Sequence, residues 1–301
     1  MSWLTASVAR LFCSRGFGYA ADMSNSERSI LITGCSTGIG LAGARALKAR
    51  GWRVLATARR PEDLERLERE HGLEALSLEL KDENSIARCA EEALRRTDGA
   101  LYALYNNAAY GVIGAMEDVP ASVLRDQLEV NVVAASELTR RVVPAMRRMG
   151  RGRIVMCSSV LGLVSGPYRG AYCASKYALE ALSDALRIEL RPAGIHVSLL
   201  EPGPIESHFL ATTLSTFTSQ IEMERSPHRE SYQRRMAEMQ SGKAKGSLFK
   251  LGPEAVVAKL VHALESPRPR ARYRIGIMTK GASILKRLLP DVLLDKIVAR
   301  M

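Results

Sequence analysis

The chain has 301 residues, of which 47% are hydrophobic, so it can bury one large core. Its formal net charge is +11, but no basic run is interleaved with aromatic residues and no nucleic-acid motif occurs, so we expect no nucleic-acid partner. No apolar run reaches the roughly eighteen residues of a membrane-spanning helix. The five cysteines form no CxxC pair and no metal-ligand spacing with the five histidines. We therefore expect reduced thiols, no metal and a cytoplasmic protein.

Residues 1–22 contain small, apolar and arginine residues and a single acid, Asp22. This composition resembles a transit peptide. Met23 then begins MSNSERSILITG, which is typical of the start of a globular protein. Two interpretations are open, and we favour an extension without fold, with Met23 as the initiator, over a transit peptide. Residues 23–301 are predicted to form a single domain.

The first predicted strand is the apolar run 29–33, which leads into the turn TGxxxGxG and a helix over 41–50. Glycines let the backbone approach a pyrophosphate, whose charge is then met by free amides at the helix N-terminus. Such turns also serve simple chain reversal, but the order strand, turn, helix favours dinucleotide binding. The candidate cofactor-binding residues of this turn are Gly34, Ser36, Thr37, Gly38, Ile39 and Gly40.

The second predicted strand, 53–57, is followed by Ala58, Arg59 and Arg60 rather than by an acid. An acid here would accept hydrogen bonds from a ribose 2′-hydroxyl and repel a 2′-phosphate, whereas a guanidinium can bind that phosphate. We therefore expect NADP(H) rather than NAD(H), with Arg59 at the phosphate. The alternative is that both arginines are solvated loop charges.

The rest of the chain alternates short apolar runs with helical patterns. Helices are predicted over 61–69, 83–96, 121–149, 171–191 and 252–265, and strands over 76–80, 101–105, 154–157, 195–200 and 272–275. This alternation predicts an α/β fold, a Rossmann-type doubly wound parallel sheet of about seven strands with helices on both faces. The looser segment 205–251 is expected to be a substrate lid.

Tyr172 and Lys176 are four residues apart, so in a helix they share one face, about 6 Å apart along the axis. A nearby cation favours phenolate, which predicts a lowered pKa for Tyr172 and a role as acid and base. Ser159 follows the predicted strand 154–157, whose end can present a hydroxyl to the same carbonyl oxygen. The YxxxK pair alone is weak evidence, and the accompanying motifs strengthen it.

With these residues in place, the chain resembles the short-chain dehydrogenase/reductase family from Ile30 to about Ile275. Five separated motifs carry the resemblance: TGCSTGIG at 33–40, NNAA at 106–109, Asn131, Ser159 with YCASK at 172–176, and PGPI at 202–205. It is most similar to the branch with 17-beta-hydroxysteroid dehydrogenases, retinol dehydrogenases and bacterial aldehyde reductases. That branch implies a lipophilic alcohol, aldehyde or ketone as substrate.

The resemblance also implies residue roles. Tyr172 would exchange a proton with the substrate oxygen during hydride transfer, Ser159 would hydrogen-bond that oxygen, and Lys176 would hold the nicotinamide ribose. Asn131 would hold a water that links Lys176 to solvent. Asn107 would lie along the adenosine ribose, and Pro202, Gly203 and Ile205 would approach the nicotinamide carboxamide.

Two departures from the family pattern concern the adenine end of the cofactor. Ala109 replaces the glycine usual after NNA, and Glu79 stands where an aspartate is common. The resemblance also predicts assembly as a homodimer or homotetramer in which the helices 121–149 and 171–191 pair between subunits. It further predicts that the protein is an enzyme. The alternative to catalysis is a dinucleotide sensor on the same fold, which could lose the four catalytic residues freely.

The C-terminal segment 280–301 carries paired leucines and basic residues on both sides of Pro290. Amphipathic segments of this kind lie at the interface of anionic membranes, which predicts a peripheral membrane contact. An apolar helical stripe is more often buried, and the alternative is that these leucines form a wall of the substrate pocket.

Overall fold

A seven-stranded, fully parallel sheet forms the centre of the computed structural model, which describes residues 28–206, 213, 217–218, 220–240 and 249–299. The strands are β1 (Ser29–Ile32), β2 (Arg53–Ala58), β3 (Glu74–Ser77), β4 (Ala103–Asn106), β5 (Gly152–Cys157), β6 (Ile195–Pro202) and β7 (Arg272–Ile275). Their order in the sheet is β3-β2-β1-β4-β5-β6-β7. The strand order proceeds outward from β1 in both directions, which confirms the predicted doubly wound topology. The extension 1–22 lies outside the described residues.

The helices cover both faces of the sheet. They are α1 (Gly38–Ala49), α2 (Pro61–Arg69), α3 (Glu83–Arg96), α4 (Ala121–Leu128), α5 (Ala134–Met149), α6 (Gly170–Leu190), α7 (Arg229–Gln240), α8 (Glu254–Glu265), α9 (Ile277–Leu288) and α10 (Asp291–Val298). Because strand side chains alternate, Ile30 and Ile32 face the core under α1, α2 and α8, whereas Leu31 faces the core under α3, α5 and α6. Each face therefore has its own buried apolar layer.

The predicted helix 121–149 is interrupted. A π-helical turn, Glu129–Val133, separates α4 from α5 and carries the buried Asn131. Such turns widen a helix by one residue and are frequent at functional sites. Nothing in the residue types of this stretch distinguishes it from ordinary helix, so the interruption was not predicted.

The third strand is displaced from its predicted position, 76–80, to Glu74–Ser77. Its partner β2 ends at Ala58, and the last ladder hydrogen bond runs from the Leu78 amide to the Ala58 carbonyl at 3.0 Å. Beyond this point there is no strand to pair with, and the chain turns so that Asp82 caps α3 by accepting a hydrogen bond from the Asn84 amide. Glu79 therefore lies in the turn after β3 rather than within a strand.

The segment 205–251 begins and ends at one place on the fold. Ile205 and Leu251 form a parallel bridge, and the Glu206 amide donates a 2.9 Å hydrogen bond to the Leu251 carbonyl. Helix α7 lies between these ends. Part of the predicted lid lies outside the described residues.

After β7 the chain continues as α9 and α10 on either side of Pro290, close to the two segments predicted there. Six of the eleven large apolar side chains that are exposed among the described residues lie on these two helices, at Ile277, Ile284, Leu288, Val292, Leu293 and Ile297. Among the described residues, none of the helices combines the length and the apolar character needed to cross a membrane.

Candidate active site

The glycine-rich turn joins β1 to α1 at the carboxyl edge of the sheet. Gly34 and Gly38 have positive φ angles of 71° and 59°, which L-residues with side chains rarely adopt. At Gly40, a Cβ atom would come within 2.1 Å of the Gly34 carbonyl oxygen. Thr37 precedes α1 in an extended conformation and makes no side-chain capping hydrogen bond. The first amides of α1 thus have no side-chain cap, which is the arrangement that accepts a phosphate.

Asn107 fixes the shape of this turn from the neighbouring strand. Its Nδ2 donates hydrogen bonds to the carbonyl oxygens of Thr33, at 3.0 Å, and Gly34, at 3.2 Å. The amides of Asn107 and Ala108 both donate to the Thr33 hydroxyl at 2.9 Å. The predicted cofactor residues at 33–40 and Asn107 therefore lie together, because β1 and β4 are adjacent in the sheet.

The two arginines after β2 have different surroundings. Arg60 Nε donates a 2.8 Å hydrogen bond to the buried carboxylate of Asp63, so this guanidinium is committed to the start of α2. The Arg59 side chain is 71% exposed, and its Nη1 lies 3.7 Å from an oxygen of Glu79. Arg59 is consequently the arginine that remains available at the end of β2.

Lys176 is buried beneath Tyr172 on α6. Its Nζ donates a 2.7 Å hydrogen bond to the Cys157 carbonyl at the end of β5 and lies 5.6 Å from the centre of the Tyr172 ring. The hydroxyl of Ser159, two residues after β5, also accepts a hydrogen bond from the Leu161 amide at 3.2 Å and is hydrogen-bonded to Tyr172. The structure thus brings Ser159, Tyr172 and Lys176 together.

The protonation of Tyr172 differs from the sequence-based expectation. Burial raises the pKa of its phenol, and the hydrogen bond from Ser159 and the charge of Arg169 offset this only in part. Burial also lowers the pKa of Lys176. The predicted lowering of the Tyr172 pKa is therefore wrong for this structure, because desolvation outweighs the neighbouring cation. Tyr172 is a phenol at neutral pH, the form that can donate a proton.

Asn131 is held by protein groups on three sides. Its Nδ2 donates to the Tyr110 carbonyl at 2.9 Å and to the Ser175 hydroxyl at 3.0 Å, and its Oδ1 accepts from the Tyr110 amide at 3.1 Å. Ser175 in turn donates to the Tyr172 carbonyl at 2.7 Å. The π-helical turn therefore ties Asn131 to the backbone of the helix that carries Tyr172 and Lys176.

Pro202 ends β6, and Gly203 and Ile205 follow it in the next loop. The Gly203 amide donates a 3.0 Å hydrogen bond to the Ile275 carbonyl of β7, and a Cβ atom at Gly203 would lie 3.2 Å from the Thr279 hydroxyl of α9. This loop is therefore packed between β7 and α9. It lies at the same edge of the sheet as the glycine-rich turn.

Apolar residues line one side of Tyr172. Tyr172 and Leu294 pack against a buried apolar cluster. The members of this cluster are Val160, Leu161, Val164, Cys173, Ala282 and Val298. Ala282 belongs to α9, and Leu294 and Val298 belong to α10. The inner faces of the C-terminal helices thus pack in the same apolar cluster as Tyr172.

A second set of contacts holds α7 over the loop before α4. The Tyr232 hydroxyl donates to Asp118 and accepts a 2.7 Å hydrogen bond from the Ala115 amide. His228 Nε2 lies 2.6 Å from a Glu117 oxygen. The ring of Tyr168 packs edge-on against those of His228 and Tyr232. These contacts join residues 60 to 117 positions apart, and the sequence patterns do not predict them.

Behind the site, Glu201 of β6 is fully buried. Its oxygens lie 3.1 Å from Arg272 Nε and 3.5 Å from Arg274 Nε, but neither oxygen has a hydrogen-bond partner among the described residues. Burial, together with the charge of Glu180, raises the pKa of Glu201 to about 7. The sequence contains a signal for this buried acid, because Glu201 directly follows the apolar run 195–200 and must therefore lie at a buried strand end. No cluster of potential metal ligands occurs in the described part of the chain.

Comparison with known proteins identifies the family to which the chain belongs. Residues 28–216 match the family model described as short chain dehydrogenase. The uncharacterized oxidoreductase YbbO of Escherichia coli K12 is 43% identical over 272 residues, covering 90% of this chain and 94% of that protein. The chain therefore belongs to the short-chain dehydrogenase family: it is an oxidoreductase on a fold that binds NAD(P).

Two further relatives have named activities. Human 17-beta-hydroxysteroid dehydrogenase type 1 is 33% identical, over 81% of this chain and 76% of its own length. The NADPH-dependent 3-dehydrocapnine reductase of Ornithobacterium rhinotracheale is 32% identical, over 90% of this chain and 95% of its own length. Both matches extend well beyond the cofactor-binding half of the chain.

Solved structures share the fold. A short-chain dehydrogenase from Streptomyces avermitilis has a TM-score of 0.75 at 30% identity, covering 92% of this chain and 99% of that one. A metagenomic short-chain oxidoreductase in complex with NADP has a TM-score of 0.63 at 25% identity, covering 82% and 96%. A Burkholderia phymatum protein in complex with NAD has a TM-score of 0.72 at 24% identity, covering 87% and 92%.

Proposed function

We propose that the protein is an NADP(H)-dependent carbonyl reductase that acts on lipophilic aldehydes or ketones, with Tyr172 as the proton donor. The observation that carries this proposal is that Tyr172 contacts both polar and apolar groups. It is hydrogen-bonded to Ser159, its ring centre lies 5.6 Å from Lys176 Nζ, and it packs against an apolar cluster to which α9 and α10 contribute. The oxygen of a carbonyl substrate bound at Tyr172 would lie among hydrogen-bond donors, and its hydrocarbon chain would lie among apolar side chains.

Each group of residues has its own role in the proposed reaction. The uncapped amides after Gly34 hold the cofactor's pyrophosphate, and Lys176 holds the nicotinamide ribose. The cofactor supplies the hydride when bound. Ser159 orients the substrate oxygen by a hydrogen bond, and Tyr172 donates a proton to that oxygen. Asn131 keeps α6 in place through Ser175, and its proposed role is to hold a water that would link Lys176 to solvent.

The protonation of Tyr172 suits the reductive half of the reaction. A phenol with a raised pKa is protonated at neutral pH, which is the form that donates a proton to a carbonyl oxygen. Because the oxidative direction needs the phenolate, we expect the rate of alcohol oxidation to rise with pH. The equilibrium between alcohol and carbonyl is set by the substrate and the cofactor ratio rather than by Tyr172.

The preference for NADP(H) is supported by Arg59. Its guanidinium is exposed at the end of β2, and the 3.7 Å separation from Glu79 is too long for a hydrogen bond. A 2′-phosphate would offer Arg59 a bidentate partner. The NADPH dependence named for the Ornithobacterium relative points the same way, whereas the similar solved structures include complexes with either cofactor.

Assembly as a homodimer or homotetramer is supported by exposed apolar groups on the helices expected to pair. Val133 lies at the junction of α4 and α5, and Leu182 and Ile188 lie on α6, with exposures of 48%, 37% and 70%. A two-fold axis between these helices would remove all three from water. The interface would leave the cofactor turn of each subunit open.

We also propose a cytoplasmic location with contact to anionic membranes through the outer faces of α9 and α10. Ile277, Lys280 and Ile284 follow one another at helical spacing on the exposed side of α9, so apolar and basic groups alternate there. This pattern suits the boundary between lipid chains and anionic headgroups. A second copy of the same surface would instead bring like charges together.

The experiment that tests the activity is a substrate panel with NADPH that spans aliphatic aldehydes, retinal and ketosteroids. NADH serves as the matched cofactor. We expect reduction of at least one lipophilic class, with kcat/KM at least tenfold higher for NADPH than for NADH. Binding of NADPH without turnover of any carbonyl across the panel would favour a sensor and contradict the proposed reductase.

A further inference from the structure

Two arginines lie near the start of α6, beside Tyr172. Arg169 directly precedes α6, three residues before Tyr172, and forms a parallel bridge with Gly114. Arg235 lies on α7, and its Cζ is 4.6 Å from the ring centre of Tyr168, the residue adjacent to Arg169. Arg169 is close enough to Arg235 and to Tyr172 for both to shift its pKa.

Neither arginine has an anionic partner in the described part of the chain. No ion pair or side-chain hydrogen bond there joins Arg169 or Arg235 to a carboxylate, and Arg235 Nε is buried without a hydrogen-bond partner. Acids in the loop before α4 are already engaged, Glu117 with His228 and Asp118 with Tyr232. Within the lid, Glu222 pairs with Arg225 and Glu224 pairs with Arg229. Glu230 and Glu238 lie on α7 itself, and the segments 207–219 and 241–250 contain no Asp or Glu in the sequence.

This arrangement costs free energy in the absence of an anion. Arg169 is exposed, so solvent screens much of its charge, but partial desolvation and the charge of Arg235 both lower its pKa. A buried guanidinium nitrogen without an acceptor is likewise unfavourable. An anion with two oxygens would satisfy both groups, because guanidinium and carboxylate match in a bidentate geometry.

We propose that Arg169 and Arg235 form a subsite for a carboxylate on the substrate, so that the preferred substrates are aliphatic aldehydes or ketones with a carboxylate at a distance from the carbonyl. This inference rests on the proposed reductase function and narrows its substrate class. The α9–α10 wall receives the apolar chain, and the arginine pair receives the charged end. The pyrophosphate of the cofactor is held elsewhere, at the turn after β1.

The test compares decanal with 10-oxodecanoate, which differ at the far end of the same chain, using NADPH and the full-length protein. We expect 10-oxodecanoate to have at least a tenfold higher kcat/KM. Arg235→Gln should lower kcat/KM for 10-oxodecanoate by about 10- to 100-fold, mainly through KM, and change decanal by less than about twofold. Arg235→Lys should restore part of the loss.

Arg234→Gln is the matched control, because Arg234 is the neighbouring residue of α7 and is exposed to solvent. Arg234→Gln should leave kcat/KM unchanged for both substrates. Equal reduction of decanal and 10-oxodecanoate by the wild type, or equal losses in Arg235→Gln and Arg234→Gln, would overturn the carboxylate subsite.

A binding measurement separates this inference from the proposed activity. Decanoate should bind the NADPH complex in calorimetry, about tenfold more weakly to Arg235→Gln and unchanged to Arg234→Gln. If decanoate binds in this way while neither aldehyde is reduced, the subsite stands and the reductase proposal fails. If the aldehydes are reduced but decanoate binding does not depend on Arg235, the subsite fails and the reductase proposal stands.

Discussion

Lys176 Nζ donates a 2.7 Å hydrogen bond to the carbonyl oxygen of Cys157, so helix α6 is tied to the end of the central strand β5. The bond holds Lys176 Nζ 5.6 Å from the centre of the Tyr172 ring. Ser159 follows the same strand. The position of the proposed proton donor is therefore set by the sheet rather than by a loop, which favours a fixed geometry for proton transfer.

The first prediction concerns cofactor choice. Arg59→Asp should raise the KM for NADPH by about 10- to 100-fold, because it replaces an attraction to the 2′-phosphate by repulsion. The KM for NADH should change by less than about threefold. Steady-state kinetics with both cofactors at a fixed carbonyl concentration measures this.

Arg60→Gln is the control for this substitution, since Arg60 is already bound to Asp63 at 2.8 Å. It should leave the ratio of the two KM values unchanged. If Arg59→Asp weakens both cofactors to the same degree, Arg59 is a solvated loop residue and the NADP(H) preference has another origin.

The second prediction concerns stability and pH. The pKa of Glu201 is raised to about 7 in the folded protein from an ordinary value of 4.5, so folding favours the protonated form. Its stabilising contribution is present below the unfolded pKa and is lost as the pH rises through the folded pKa. Between pH 4 and pH 8 this amounts to at most about 3 kcal/mol.

Glu201→Gln removes this titration, so the variant should gain stability relative to the wild type as the pH rises from 5 to 8. Chemical denaturation at pH 5, 6, 7 and 8 tests the expectation. A constant difference between variant and wild type over this range would show that Glu201 remains ionised through its contacts with Arg272 and Arg274.

The third prediction concerns assembly. Ile188 is 70% exposed on α6, and a dimer through this helix would bury it. Ile188→Glu should therefore weaken the dimer more than tenfold, since a charge at the centre of an apolar interface is left unpaired. Light scattering at micromolar concentration should give a dimer or tetramer mass for the wild type and a smaller mass for the variant. A monomeric wild type would contradict the proposed assembly.

The fourth prediction concerns membranes. The wild type should co-sediment with vesicles that contain anionic phosphatidylserine at low salt, and 0.5 M salt should release it. Ile284→Glu should weaken this binding about tenfold, because Ile284 is 55% exposed on the outer face of α9.

The assembly and membrane variants serve as controls for each other. Ile188→Glu should retain vesicle binding, and Ile284→Glu should retain the mass of the wild type. If the wild type stays in the supernatant at low salt, α9 and α10 act only as a pocket wall.

Much of the site could be predicted because its residues follow local patterns. The turn TGCSTGIG has the glycines that its backbone angles require, and YCASK places Tyr172 and Lys176 one helical turn apart. The parallel sheet follows from the alternation of apolar runs with helices. These signals depend on near neighbours in the chain, and the structure confirms the fold that they predict.

Other features depend on contacts between distant segments. The raised pKa of Tyr172 results from burial, which the YxxxK spacing does not report. Arg235 is far from Tyr168 in the chain and reaches its ring only because α7 packs on the loop before α4. The π-helical turn at Asn131 likewise arises from packing against α6 rather than from its own residue types.

The central claim is that Tyr172 is the proton donor, and Tyr172→Phe tests it most directly. The variant keeps the ring against the apolar wall and removes only the hydroxyl. With the best carbonyl substrate of the panel, kcat should fall by about 100- to 10,000-fold, whereas the dissociation constant of NADPH, measured by fluorescence, should change by less than about threefold. Retention of wild-type turnover by Tyr172→Phe, with NADPH still bound, would contradict the account.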